Sequence, residues 1–118
     1  MENDDEVRRL ISDCESEEPV FSSLGTPYIG ENRTTRKIIA MGSSVVPQLS
    51  QLLSTSSSKV AACIAYCLGR IGDKSAINEL EKTLKAYEEK NQKSAFEYSF
   101  IDNATRAIES LKGINNKT

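Results

Sequence analysis

No histidine and no tryptophan occur among the 118 residues of this chain, and each absence removes a class of explanation. Without His there can be no Ser-His or Cys-His dyad, and the commonest acid–base group near neutral pH is missing. Without Trp, and with aromatics at only 6%, the core has to come from Leu, Ile, Val and Ala. That aliphatic bias suits helices packed on helices. Cysteine is scarce too: Cys14, Cys63 and Cys67 do not make a secreted disulfide framework. An excess of one charge is lacking, since the formal net charge is -2. That value argues against nucleic acid as the main partner, because phosphate-binding surfaces carry a strong basic excess. No apolar run approaches a membrane span, and the acidic opening "MENDDEVRRL" shows no apolar core of a signal peptide. The expectation is a cytoplasmic protein with neither a nucleic acid nor a membrane as partner.

Chemistry is equally thin. "GSS" and "LGRIG" lack the Gly and Lys pattern of a phosphate loop. Cys63 and Cys67 lie four apart on one helix face, a spacing that offers two soft ligands, but a closed zinc site takes four. No His and no second Cys pair supply the rest. Free cysteines instead act as small hydrophobes beside Ala61, Ala62, Ala65 and Leu68. Glu79, Glu81, Glu88 and Glu89 read as a solvated helix face, with Glu81 and Lys85 in the order that favours an i, i+4 ion pair. No catalytic, metal-binding or cofactor-binding residue is expected, and hence no enzyme.

What is present is helical punctuation. With hydrophobic residues at 38% and charged residues at 27%, the length supports one globular domain. Residues 1–18 predict an N-terminal capping helix, started by Asp4 or Asp5, carrying a stripe of Val7, Leu10, Ile11 and Cys14, and stopped at Pro19. Residues 19–33, "PVFSSLGTPYIGENR", predict a loop whose Val20, Phe21, Leu24, Tyr28 and Ile29 are unusually apolar. Such a segment either folds over the core as a lid or presents a docking surface, and the lid is preferred. Helical spacing then runs through 34–113, with no strand signal, before a frayed tail at 114–118.

Within 34–113 the pattern repeats. Val46, Leu49 and Leu53 align with Ile77, Leu80 and Leu84, each pair 31 positions apart. Ala104 and Leu111 echo Ala61 and Leu68 at a longer spacing. Ser43 or Ser44 and Ser56 to Ser58 supply helix caps, and Pro47 falls in the tolerated first turn. Gly72 suits the left-handed end of one helix and Asp73 the turn into the next. In "STSSS" a flexible turn plus helix cap is preferred to a phosphorylation site. The alternation of Phe96, Tyr98 and Phe100 overlaps the polar connector "NQKSAFEYS", and packing with the last helix, expected to begin near Phe100, is preferred to a short docking element. Tyr66 is expected in the core with its hydroxyl at the rim.

"SKVAACIAYCLGRIGDKSAINELEKTL" resembles a HEAT-like repeat of the short bacterial type found in phycobilisome-lyase-like proteins. Ala61, Ala65, Leu68, Gly69, Ile71, Gly72, Asp73, Ala76, Leu80 and Leu84 carry the resemblance. The preceding unit matches through Arg36, Ile39, Gly42, Val46, Pro47, Leu49 and Leu53. Lys59 stands where the family often has Arg. The resemblance implies an all-α fold, a short right-handed α-α superhelix of about two full helix pairs plus capping helices. It implies little about function, because such repeats scaffold many roles. The leading expectation is a non-enzymatic protein–protein interaction module, as an adaptor or a small inhibitor of immunity type. Its partner would bind the second-helix face through Gln48, Gln51, Asn78, Glu81, Lys82 and Lys85. The alternatives are a bilin lyase or chaperone, which the resemblance brings with it, and a self-associating homodimer.

Overall fold

The computed structural model describes residues 2–18, 20, 21, 23, 25 and 27–113, with side chains for all of these except 2–4 and 20. Pro19, Leu24 and the tail at 114–118, for which a helix stop, an apolar loop contact and fraying are expected, lie outside the described residues. Six α-helices account for most of the described chain: α1 (Glu2–Ser16), α2 (Arg33–Ala40), α3 (Val46–Leu52), α4 (Ser58–Ile71), α5 (Ile77–Glu88) and α6 (Ala95–Lys112). The fold is all-α in class, with one small exception. Val20–Phe21 and Pro27–Tyr28 form strands β1 and β2 of an antiparallel hairpin, Val20 opposite Tyr28 and Phe21 opposite Pro27. Two-residue strands are too short to show the alternation by which strands are read from sequence.

Local signals explain most helix boundaries. Asn32 caps α2 by accepting from the Thr35 backbone N–H at 2.9 Å, while the Thr35 hydroxyl accepts from the Asn32 N–H at 2.8 Å. Ser57 caps α4, and Gly72 ends it at φ +84, a conformation that only Gly adopts without strain. Asp73 accepts from the Ser75 N–H at 2.9 Å and starts a 3-10 turn (Lys74–Ala76) that leads into α5. The opening and closing of α4 therefore follow the sequence reading closely.

Three boundaries differ from it. Helix α1 begins at Glu2, so Asp4 and Asp5 lie inside the helix instead of capping it. Neither Ser43 nor Ser44 caps α3, because the chain enters it through a 3-10 turn (Gly42–Val45). The Ser44 hydroxyl instead donates to the Met41 carbonyl at 3.0 Å. Helix α6 starts at Ala95, several residues before Phe100, because Ser94 and Glu97 form a capping box. Much of the expected polar connector is thus the first turn of a helix.

Packing centres on α4. Val60 through Ala65, Cys67 and Leu68 are all buried, so this helix is covered on nearly every side. Helices α1, α2, α3 and α6 all pack against it, α1 also touches α2, and α5 lies on α6 and α3. The stripe on α1 enters the same core through Val7, Leu10 and Cys14. Of the residues aligned 31 apart, Val46, Leu49, Leu53 and Leu80 are buried, while Ile77 and Leu84 are partly covered at its margin. Burial of these aliphatic side chains, worth about 1.5–3 kcal/mol each, is the main force holding the helices together.

Candidate interaction surface

The approach of α4 and α6 builds the groove that dominates one face. Ala65 and Gly69 on α4 meet Ala107 on α6, and these small side chains let the two backbones come together. Larger side chains rise along the edges, namely Tyr66, Arg70, Asn103 and Arg106, and enclose a groove of about 480 Å³. Tyr66 and Arg70 also line a second hollow, about 320 Å³, which continues the face over Arg36, Ile39 and Ala40 of α2. Helices α2, α4 and α6 thereby present one continuous surface of Tyr and Arg over an apolar floor.

Charges of both signs line this surface, Arg36, Arg70 and Arg106 beside Glu31 and Glu109. Helix α2 carries Arg33, Arg36 and Lys37 and no carboxylate. Arg36 pairs with Glu31 at 3.1 Å, and Arg106 with Asp102 at 3.2 Å. Among the described residues Arg33, Lys37 and Arg70 have no ion-pair partner. Partial burial pushes the Tyr66 hydroxyl above its ordinary value, opposed by the Arg70 guanidinium.

The apolar segment at 19–33 is fastened beside this face. Asn103 donates through Nδ2 to the Ile29 carbonyl at 2.8 Å and to the Ala62 carbonyl at 3.0 Å. The buried Ser99 hydroxyl donates to the Pro27 carbonyl. Thr35 Oγ1 reaches the Gly30 carbonyl at 3.1 Å. Ile29 packs against the core, whereas Phe21 and Tyr28 stay 57% and 61% exposed. The segment thus covers part of the core and still leaves two aromatic rings to solvent.

The residues expected to bind a partner on the second helices lie on α3 and α5, and four of them line two hollows. Gln48 and Gln51 border a hollow between α1 and α3, beside Val7, Arg8 and Leu52. Glu81 and Lys85 border another between α5 and α6. Asn78 and Lys82 are exposed on α5 and line neither hollow. Glu81 does not take the expected i, i+4 partner: its carboxylate meets Lys112 of α6 at 2.6 Å, across the helix boundary. Tyr66, Arg70 and Arg106 were not among the expected site residues. Their signal is faint in sequence, since three residues on two helices share a face only once α4 and α6 are docked.

The three aromatics at the start of α6 divide by helical geometry. Phe100 is fully buried and stacks on Tyr87 with ring centroids 4.3 Å apart. Tyr98 is 55% exposed, and the partly buried Phe96 ring lies 5.9 Å from the Lys59 ammonium. Cys14, Cys63 and Cys67 are free and buried. Contact with Cys63, then burial, pushes the Cys14 thiol far above its ordinary value. At Cys63 the Cys14 contact pulls downward, but contact with Cys67 and burial outweigh it. Among the described residues no group of three or more His, Cys, Asp or Glu side chains is arranged to hold a metal ion, and no helix is long and apolar enough to cross a membrane. No family model, curated protein or solved structure matches the chain.

Proposed function

We propose that this protein is a non-enzymatic protein–protein interaction module built on HEAT-like stacked helix pairs, with α2, α4 and α6 as first helices and α3 and α5 as second helices. The side-by-side packing of α2 on α4 and α4 on α6 supports the stacking, as does the contact between α3 and α5. Helix α1 acts as a cap: Ser57 Oγ donates to the Glu15 carboxylate at 2.6 Å, and Lys59 Nζ to the Glu15 carbonyl at 2.8 Å.

One observation carries the functional reading, the Tyr66–Arg70–Arg106 groove between α4 and α6. Tyr and Arg are enriched at the energetic centres of protein interfaces, where a ring or guanidinium supplies large contact area and directional hydrogen bonds together. The want of an acid–base residue near neutral pH agrees with binding rather than turnover. An adaptor or an inhibitor that neutralises a partner by covering it are both forms of this reading, in a cytoplasmic setting.

Affinity capture from a lysate of the native host, read by mass spectrometry, tests it. Wild type should retain one near-stoichiometric protein, and R70E combined with R106E should lose it. Loss instead in the variant Gln51→Arg with Asn78→Arg would transfer the docking face to the second helices. Retention of no protein would remove the interaction reading altogether.

A further inference from the structure

We propose a redox-sensitive staple between α1 and α4: the free, buried thiols of Cys14 and Cys63 join as a disulfide when hydrogen peroxide reaches them through the hollow they share. Cys14 lies near the C-terminal end of α1 and Cys63 in the first half of α4, far apart in the chain. Their side chains touch where the two helices pack, and both are almost wholly buried. The third thiol is placed differently. Cys67 also touches Cys63, but its Sγ points to the Thr35 carbonyl of α2, 4.0 Å away. It sits one turn beyond Cys63 on the same helix, where Cβ atoms stand about 5–6 Å apart. A disulfide needs about 3.5–4.5 Å, so a Cys63–Cys67 bond would distort α4. Thiols on separate helices can close the distance by a change of rotamer or a small helix shift.

A hollow of about 150 Å³ gives a small oxidant its way in. Cys14 and Cys63 both line it and Cys67 does not; Glu17, Glu18, Lys59 and residues 28–32 form the other walls. A water molecule takes up about 30 Å³ of liquid, so hydrogen peroxide fits where a bulky disulfide reagent does not. Both thiols are held protonated, with Glu17 contributing, so the oxidation is slow. One thiol gives up its proton and attacks the peroxide; the O–O bond breaks, leaving a sulfenic acid and one water. The second sulfur then attacks the sulfenic sulfur, its S–O bond breaks, and a second water leaves. Two thiols are oxidised to one disulfide while one peroxide is reduced to two waters. The product ties α1 covalently to α4, beside the contacts that Ser57 and Lys59 make with Glu15. Closing so long a loop restricts the unfolded chain, and α1 can no longer lift away from α4.

The test incubates the protein for hours with excess hydrogen peroxide, denatures it in the presence of N-ethylmaleimide and weighs it by mass spectrometry. The chain should lose two hydrogens and take up one maleimide, and peptide mapping should join Cys14 to Cys63. Its urea midpoint should rise on oxidation, and dithiothreitol should return it to the starting value. Cys67→Ser should keep the mass loss and the midpoint shift, whereas Cys14→Ser should abolish both. Circular dichroism shows whether each variant is folded before oxidation, and the map of the wild-type protein decides the pairing even where a variant fails to fold. Three maleimides on oxidised wild type, sulfinic acid without a cross-link, or a bond to Cys67 or between two chains would each overturn the staple. So would an oxidised midpoint no higher than the reduced one.

Discussion

Gly69 on α4 and Ala107 on α6 mark a close approach of two helices: a Cβ placed on Gly69 would lie 2.9 Å from the Ala107 Cβ and 3.0 Å from its Cα. Gly69 is one of the residues that carry the repeat resemblance, and in the fold it is a helix contact. Gly69→Ala should gain up to about 1 kcal/mol of helix propensity. Overpacking, at about 1–3 kcal/mol, should outweigh it. The expected outcome is a lower urea midpoint, partly restored when Ala107→Gly is added. A midpoint raised by Gly69→Ala alone would show that α4 and α6 separate freely.

Thr83 lies buried on α5, and its hydroxyl has no hydrogen-bond partner among the described residues. An orphaned buried hydroxyl costs stability that an apolar isostere recovers. Thr83→Val keeps the shape and the helix propensity nearly constant. It should raise the unfolding free energy by about 1 kcal/mol. Equilibrium urea unfolding reads this directly, and a loss of stability would place a water or side chain against that oxygen.

Asn103 ties the hairpin segment to α4 by donating from one amide nitrogen to Ile29 and Ala62. Asn103→Ala should reduce stability by about 1–2 kcal/mol. The local effect should exceed the global one. Limited proteolysis should cut between β1 and β2 faster in the variant than in wild type, at matched distance from the urea midpoint. Equal cleavage rates would mean that Ser99 and Thr35 hold the segment unaided.

Glu97 accepts from Lys90 Nζ and, at 2.7 Å, from the Ser94 backbone N–H. The Lys90 contact first, then the Ser94 N–H, holds its carboxyl below the ordinary 4.5. A depressed folded pKa contributes stability fully present above the unfolded value and lost as pH falls through the folded one. Wild type should therefore lose more stability than Glu97→Gln between pH 7 and pH 3. Parallel loss in the two proteins would show that the capping box does not depend on the charge.

The thiols of Cys14 and Cys63 are buried and held in the protonated form, and thiolate is the reactive species. Native protein should resist iodoacetamide at neutral pH, and label should enter only above the urea transition. Rapid labelling of folded protein would show that α1 opens away from α4 on its own.

Much of the fold is written locally. The stripe of Val7, Leu10 and Cys14, the Gly72–Asp73 turn and the apolar positions of α3 and α5 needed only helical spacing and cap chemistry to be read. Even the early start of α6 was signalled, by Ser94 followed three residues later by Glu97. The hairpin was not, because two-residue strands leave no alternation. What holds it in place, Asn103 on Ile29 and Ser99 on Pro27, joins residues more than seventy positions apart.

The surface belongs to that second category. Sequence by itself determined which residues form helices and which face of each is apolar, since a 3.6-residue repeat fixes both within a few turns. Only the tertiary structure decided that Tyr66, Arg70 and Arg106 share a groove, and that Glu81 meets Lys112 rather than Lys85. The reason is distance. Neighbours on one helix are set by its pitch, but neighbours between helices depend on how closely the backbones approach, and here that is set by the contact of Gly69 with Ala107.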